Sequence, residues 1–216
     1  MSTNLVRFGG IAGVIFAVLI AVGAFAVGGS PPEISATGKD ILGYYTSSNA
    51  RLSYVAGAAL PTVFAALFFS TLTLRLWARE ADRGWTLFAF SSAIITGAVA
   101  TASGILVWGP LTYGHVDETT AQALNAAQQT SEVGIGLLVL TILIAYGVVQ
   151  YRVGSLTRWL GYLAFLTAVF EAIAFIASFT DGSPGMLGLP GLLGFLLWTL
   201  LTGALQATGR TEPTKA

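Results

Sequence analysis

Glu171 is the one charged side chain that lies well inside a long apolar stretch of this sequence. A carboxylate held in lipid costs several kcal/mol unless it is protonated, paired or hydrated, so such a residue is by default a candidate site. Glu171 follows Arg158 by thirteen residues, which on a helix is a rise of roughly 20 Å, just past the middle of a bilayer. Two roles fit it. As a ligand or proton site it would face a hydrated cavity. As interhelical glue it would be neutral and hydrogen-bonded to hydroxyls such as Ser92, Thr96 and Ser103 on another span. Arg51, at the start of a different apolar stretch, is the cation able to reach inward along its aliphatic stem.

A second group of polar residues has helical spacing. Glu118, Gln122, Asn125, Gln129 and Glu132 recur at steps of four and three, which places them on one stripe of a helix. Asp117 stands where a cap for that helix belongs. The stripe is read either as a solvated face or as the wall of a polar cavity open to the outside. The candidate ligand or proton residues are therefore Glu171, Arg51, Glu132, Gln129, Asn125, Ser92, Thr96 and Ser103.

Other chemistry is excluded by what the chain lacks. It has no cysteine, which removes disulfides, thiolate metal sites, iron–sulfur clusters and a cysteine nucleophile. His115 is its single histidine, so paired axial haem ligands and a multi-histidine metal site are impossible. No nucleophile-elbow serine, phosphate-cradling glycine loop or zinc-protease helix is present. No catalytic residue, metal or cofactor is expected. A net charge of zero gives no footprint for nucleic acid.

The elements that must position these residues are membrane spans. Charged residues make up 9% of the chain and hydrophobic ones 55%, against about 25% charged in soluble domains. Six stretches meet the length of about 20 apolar residues that a spanning helix needs: 8–28, 52–74, 85–108, 133–150, 156–178 and 187–206. Under alternating topology, eight basic residues (Arg7, Arg75, Arg79, Arg83, Arg152, Arg158, Arg210 and Lys215) share one side and only Lys39 and Arg51 the other. The basic side stays in the cytoplasm, which puts both termini inside. Trp77, Trp85, Tyr151 and Trp159 then mark the inner interface, and Tyr44, Tyr45, Tyr54, Trp108 and Tyr113 the outer one. Trp198 is the exception, near mid-span. Gly9, Gly13, Ala17 and Ala21 recur every four residues in the first span, as on a helix-packing face. That regularity favours a retained helix over a cleaved signal peptide, which Arg7 and Ala24-Phe25-Ala26 otherwise resemble.

Thr37-Gly38-Lys39-Asp40 begins a helix in the first outer loop, and the spacing of Ile41, Leu42, Tyr44 and Tyr45 predicts a short amphipathic helix over 38–50 lying on the outer interface. Pro61 interrupts the second span and frees a carbonyl one turn earlier. Residues 83–90 align loosely with 158–165, which suggests a duplicated helical hairpin. Gly185, Gly188, Pro190, Gly191 and Gly194 make a tight, small entry to the last span.

Arg7-Phe8-Gly9-Gly10, the Tyr44-Tyr45 pair and above all Arg152-Val153-Gly154-Ser155-Leu156-Thr157-Arg158-Trp159-Leu160-Gly161 carry a resemblance. The chain resembles a group of small bacterial multi-helix membrane proteins whose inner turn reads Arg-x-Gly-x-Leu-Pro-Arg-Trp-Leu-Gly. Thr157 stands where that group has proline. The resemblance implies six helices and transfers no activity and no site residues. Read directly, Gly154 permits a tight reversal while Arg152, Arg158 and Trp159 anchor it at the headgroups.

The sequence is thus expected to form an all-α, single-domain bundle over 1–216. It has six transmembrane helices, both termini inside, short amphipathic outer helices and a place in the plasma membrane. The function expected is binding or transport of a small molecule or lipid through an outward-facing polar cavity near Glu171. The alternative is a non-catalytic accessory or scaffold subunit that packs against another membrane protein, or a second copy, through the Gly9/Gly13/Ala17/Ala21 face. Membrane lipids are partners in either case.

Overall fold

In lipid a backbone N–H or C=O has no water to bond, so the chain must satisfy these groups within its own segments. The computed structural model describes residues 3–27, 31–79, 83–113, 115–180 and 185–209, and among these every regular element is helical. The α-helices are α1 (Thr3–Ala21), α2 (Gly38–Thr46), α3 (Ser48–Tyr54), α4 (Leu60–Trp77), α5 (Gly84–Ser103), α6 (Gly109–Tyr113), α7 (Glu118–Val153), α8 (Ser155–Thr180) and α9 (Gly185–Ala207). Wider π-turns extend α1 (Val22–Val27), join α3 to α4 (Val55–Ala59) and join α5 to α6 (Gly104–Trp108). Seven continuous helices result, and six of them are long and apolar enough to cross a membrane. Asp181, Arg210 and Lys215 lie outside the described residues.

The π-turns have a chemical cause in two cases. Pro61 has no N–H for the carbonyl one turn back. The helix absorbs the defect by widening: Leu60 N–H donates five residues back to Val55 O, and the Thr62 hydroxyl donates to Ala58 O at 2.9 Å. Gly104–Trp108 precedes Pro110 in the same way.

The six spans form a closed ring in chain order, each packed on the next and the sixth on the first. Aromatic rings fill its centre. Phe69 stacks on Tyr146 at 5.7 Å, Phe195 stacks on Trp198 at 6.2 Å, and Phe16 meets Phe69 and Phe195 edge-on. Trp198 is wholly buried, which explains its place in mid-span. Tyr45 is also buried, beside Ile41, Leu111 and Ala121, so it belongs to a second core and not to the lipid interface. The expected single helix over 38–50 is two. Ser47 is extended (φ −66°, ψ 149°), closes α2 through its N–H to Tyr44 O, and caps α3 by accepting from Ala50 N–H at 3.2 Å.

Glycine sets the closest approaches. A Cβ on Gly10 would stand 2.6 Å from Gly203 O, so α1 and α9 meet backbone to backbone. Gly9 and Gly13 receive Thr71 and Phe68 of α4, and Ala17 is buried. The small-residue face reserved above for a partner protein is therefore consumed inside the chain. Gly154 makes its reversal with φ −178° and ψ 160°, extended backbone that any residue adopts. The turn is locked instead by Thr157, whose hydroxyl donates to Gln150 O at 3.0 Å, a bond a proline could not supply.

The first and last described residues lie on one face, where Arg7 reaches Gly209; we call it the terminal face and its opposite the distal face. On the terminal face Arg83 lies over Trp77, Arg152 over Trp85 and Arg158 over Tyr151, at 5.2 to 5.9 Å. Gly10→Ala must force α1 from α9, and overpacking of this kind costs about 1–3 kcal/mol. Gly97→Ala enters open space. A thermal melt of the detergent-solubilised chain should fall by several degrees for the first variant and stay at the wild-type value for the second.

Candidate functional site

The polar stripe of α7 has a definite task. Pro31 and Pro32 precede α2 in non-helical backbone, whose carbonyls have no helical partner. Asn125, fully buried, donates through Nδ2 to Pro32 O at 3.3 Å and Glu33 O at 3.2 Å. Its Oδ1 accepts from the Tyr45 hydroxyl at 3.2 Å. Gln129 donates to Pro32 O at 2.7 Å, and Gln122 to Ala36 O at 3.3 Å. These amides clamp the segment 31–36 to α7. Burial above all, then the charges of Glu132 and Tyr44, hold the Tyr45 phenol above its ordinary value of 10.0, so it remains a donor to Asn125 throughout the physiological range. α7 itself starts at Asp117, whose carboxylate accepts from Thr120 N–H at 2.7 Å. It runs unbroken for 36 residues.

Glu132 is different from its stripe-mates. Its side chain is exposed on the surface of α7. Gln128 donates to its Oε1 at 3.1 Å. Gly136, one turn further along, is on the same face of α7.

That face meets Glu171. A Cβ on Gly136 would lie 3.7 Å from Glu171 Oε2, and one on Gly191 of α9 only 2.6 Å from Oε1. Glu171 thus lies in a notch between α7 and α9, tight against Gly191 and in ordinary contact with the Gly136 position. One turn nearer the terminal face Thr167 fills the corresponding notch at Gly194 and spends its hydroxyl on Leu163 O at 2.9 Å. Among the described residues Glu171 makes no hydrogen bond and no ion pair.

None of the partners expected for it comes near. Arg51 is exposed, with its guanidinium over the Tyr113 ring at 5.3 Å. Ser92 donates to Phe88 O and Thr96 to Ser92 O, within their own helix; Ser103 ends α5 half-buried. The reason is the ring order, in which α7 lies between α5 and α8. Hydroxyls of the third span and the carboxyl of the fifth are separated by the fourth.

The sequence reading missed a buried polar cluster nearer the terminal face. Trp198 Nε1 donates to Gln150 Oε1 at 2.9 Å, and Gln150 Nε2 to Thr202 at 3.4 Å. Gln206 donates to Val6 O at 3.1 Å and to Thr71 at 2.7 Å, and the Thr73 and Tyr146 hydroxyls are hydrogen-bonded to each other at 2.7 Å. Both glutamines are almost wholly buried. The signal available was an uncharged amide at the last apolar position of the fourth and of the sixth stretch.

Asn125→Ala takes one of two donors from Pro32 O and from Glu33 O, which keep Gln129 and the Ala36 N–H, and leaves the buried Tyr45 phenol without its acceptor, at a cost of about 1–3 kcal/mol. Hydrogen exchange in residues 33–37 should rise markedly in Asn125→Ala and more in Asn125→Ala/Gln129→Ala; unchanged exchange would show that the clamp bears no load. The cap of α7 titrates in the opposite sense to a histidine switch. The backbone N–H of Thr120, above all, holds the exposed Asp117 carboxyl below its ordinary value of 3.8, so its contribution is present above that value and disappears as pH falls through the lower, folded one. Exchange protection of the first turn of α7 should therefore drop on acidification in the wild type, and Asp117→Asn should remove that pH dependence.

Comparison with protein-family models, with curated proteins and with solved structures finds no match to this chain, so its functional reading rests on the geometry of α7, α8 and α9.

Proposed function

We propose that the chain is a multi-pass plasma-membrane protein, with the terminal face in the cytoplasm, that binds or transports a small molecule or lipid through a recess open to the outside. The observation that carries this reading is the Glu171 carboxyl in its glycine notch, with no partner among the described residues. An intramembrane acid of this kind is retained at a cost, and a bound proton, cation or hydrogen-bond donor offsets that cost. Glu132 supports the same reading, since it is exposed one turn from Gly136 on the face of α7 that meets Glu171. Orientation is supported by the arginines gathered on the terminal face, the side that positively charged loops favour as cytoplasmic. The accessory-subunit reading loses its proposed contact surface, because Gly9 and Gly13 are filled by α4.

Native mass spectrometry of the chain, extracted gently from its own membranes, tests the proposal. Wild type should retain a ligand of defined mass. Glu171→Gln should keep the wild-type melting temperature and reduce occupancy about tenfold, the scale of one charge-assisted hydrogen bond. Glu171→Leu should abolish retention. Equal occupancy in wild type and Glu171→Gln would refute a binding role for the carboxyl, as would a wild-type chain that carries nothing.

A further inference from the structure

Far from Glu171, four spans leave a cleft on the terminal face. One wall is α4, which contributes Arg75 and Arg79, a helical turn apart; α7, α8 and α9 contribute Gln150, Thr157 and Thr202, and the remaining lining is leucine and valine. The enclosed part measures about 20 Å³, room for one water-sized group. Among the described residues no carboxylate lines it.

The polar atoms of this lining are biased toward donation. Arg75 is half-buried and has an interaction of its own within the protein, while Arg79 is exposed at the mouth. The two charges repel each other, and like charges one turn apart destabilise a helix. Thr157 spends its proton on Gln150 O. Thr202 is buried and accepts from Gln150 Nε2, and among the described residues its own hydroxyl proton has no acceptor. Arg75, Arg79 and the undonated hydroxyl of Thr202 therefore line one cleft at the terminal end of the spans. Guanidinium forks match phosphate oxygens in geometry and charge, and basic pockets between spans hold acidic headgroups.

We propose that this cleft binds a phosphate group, one oxygen entering the enclosed part toward Thr202 and the others held at the mouth by Arg79 and Arg75. The site is separate from the Glu171 recess and does not depend on what that recess binds. Its phosphate belongs either to an anionic phospholipid or to a soluble phosphate, and the leucine walls suit the first.

The test uses the full chain in phosphatidylcholine nanodiscs doped with phosphatidylglycerol, with bound lipid counted by native mass spectrometry. Wild type should hold about one phosphatidylglycerol in preference to phosphatidylcholine. Arg79→Gln, at an exposed position that does not threaten folding, should weaken retention about tenfold, and Thr202→Val about threefold. Arg83→Gln is the control, since Arg83 lies on the same face over Trp77 and outside the cleft; it should bind as wild type does. Millimolar inorganic phosphate distinguishes the sources. Failure to displace the lipid assigns the site to a headgroup, and displacement, together with a higher melting temperature in phosphate than in chloride, assigns it to soluble phosphate. If Arg79→Gln binds like wild type, or Arg83→Gln weakens binding equally, the cleft is not a phosphate site.

Discussion

Lipid gives helices no solvophobic reason to associate, because the acyl chains are as apolar as leucine. What holds a bundle together is close contact and the few polar groups that find each other. In this protein the contact on which the rest depends is the meeting of α1 and α9, where Gly10 lies against the backbone of Gly203 and Ala207. It joins the first span to the last and closes the ring. Once closed, the ring has a fixed interior, and the Phe16, Phe69, Tyr146, Phe195 and Trp198 rings fill it with edge and stacked contacts. Gln206 secures the same junction with bonds to α1 and α4 together, each satisfying a group that hydrocarbon would leave bare.

Much of this architecture is legible in hydropathy alone, since each apolar stretch of the sequence corresponds to a helix. The spans run longer than the apolar cores that mark them, most visibly in α7, where a polar first half and an apolar second half form one helix. Residues 118–132 show why. A helix is set by local bonding and capping at Asp117, whereas hydropathy reports only which solvent its side chains meet. Pairings across the ring were not legible. Nothing in the spacing of Asn125 and Gln129 indicates that Pro32 O will be their acceptor, because that contact spans more than ninety residues. Gln150 and Gln206 are the last residues of their apolar stretches. Their burial follows from ring closure, which no local pattern encodes. The same is true of Glu171, whose depth could be counted along its helix but whose neighbours depended on the order of spans around the ring.

The two faces of the bundle are built on different principles. The terminal face is fastened by guanidiniums over aromatic rings and by Thr157 at the reversal between α7 and α8. The distal ends of the first three spans are widened by π-turns; the first two of these touch where Gly23 meets Gly57, and the Ser53 hydroxyl of α3 donates to Gly23 O at 3.0 Å. The last three spans, which carry Glu132 and Glu171, show no such widening among the described residues.

α7 is about 54 Å long at a helical rise of 1.5 Å per residue, and it carries the loop clamp at one end, Gly136 near its middle and Gln150 at the other. Its unbroken hydrogen bonding makes it a lever. A tilt of about 5° around its centre would swing each tip by about 2 Å in opposite directions. The segment held by Asn125 and the cleft beside Gln150 therefore share one helix, with Glu171 beside its middle, and a tilt of that helix would carry its two tips in opposite directions.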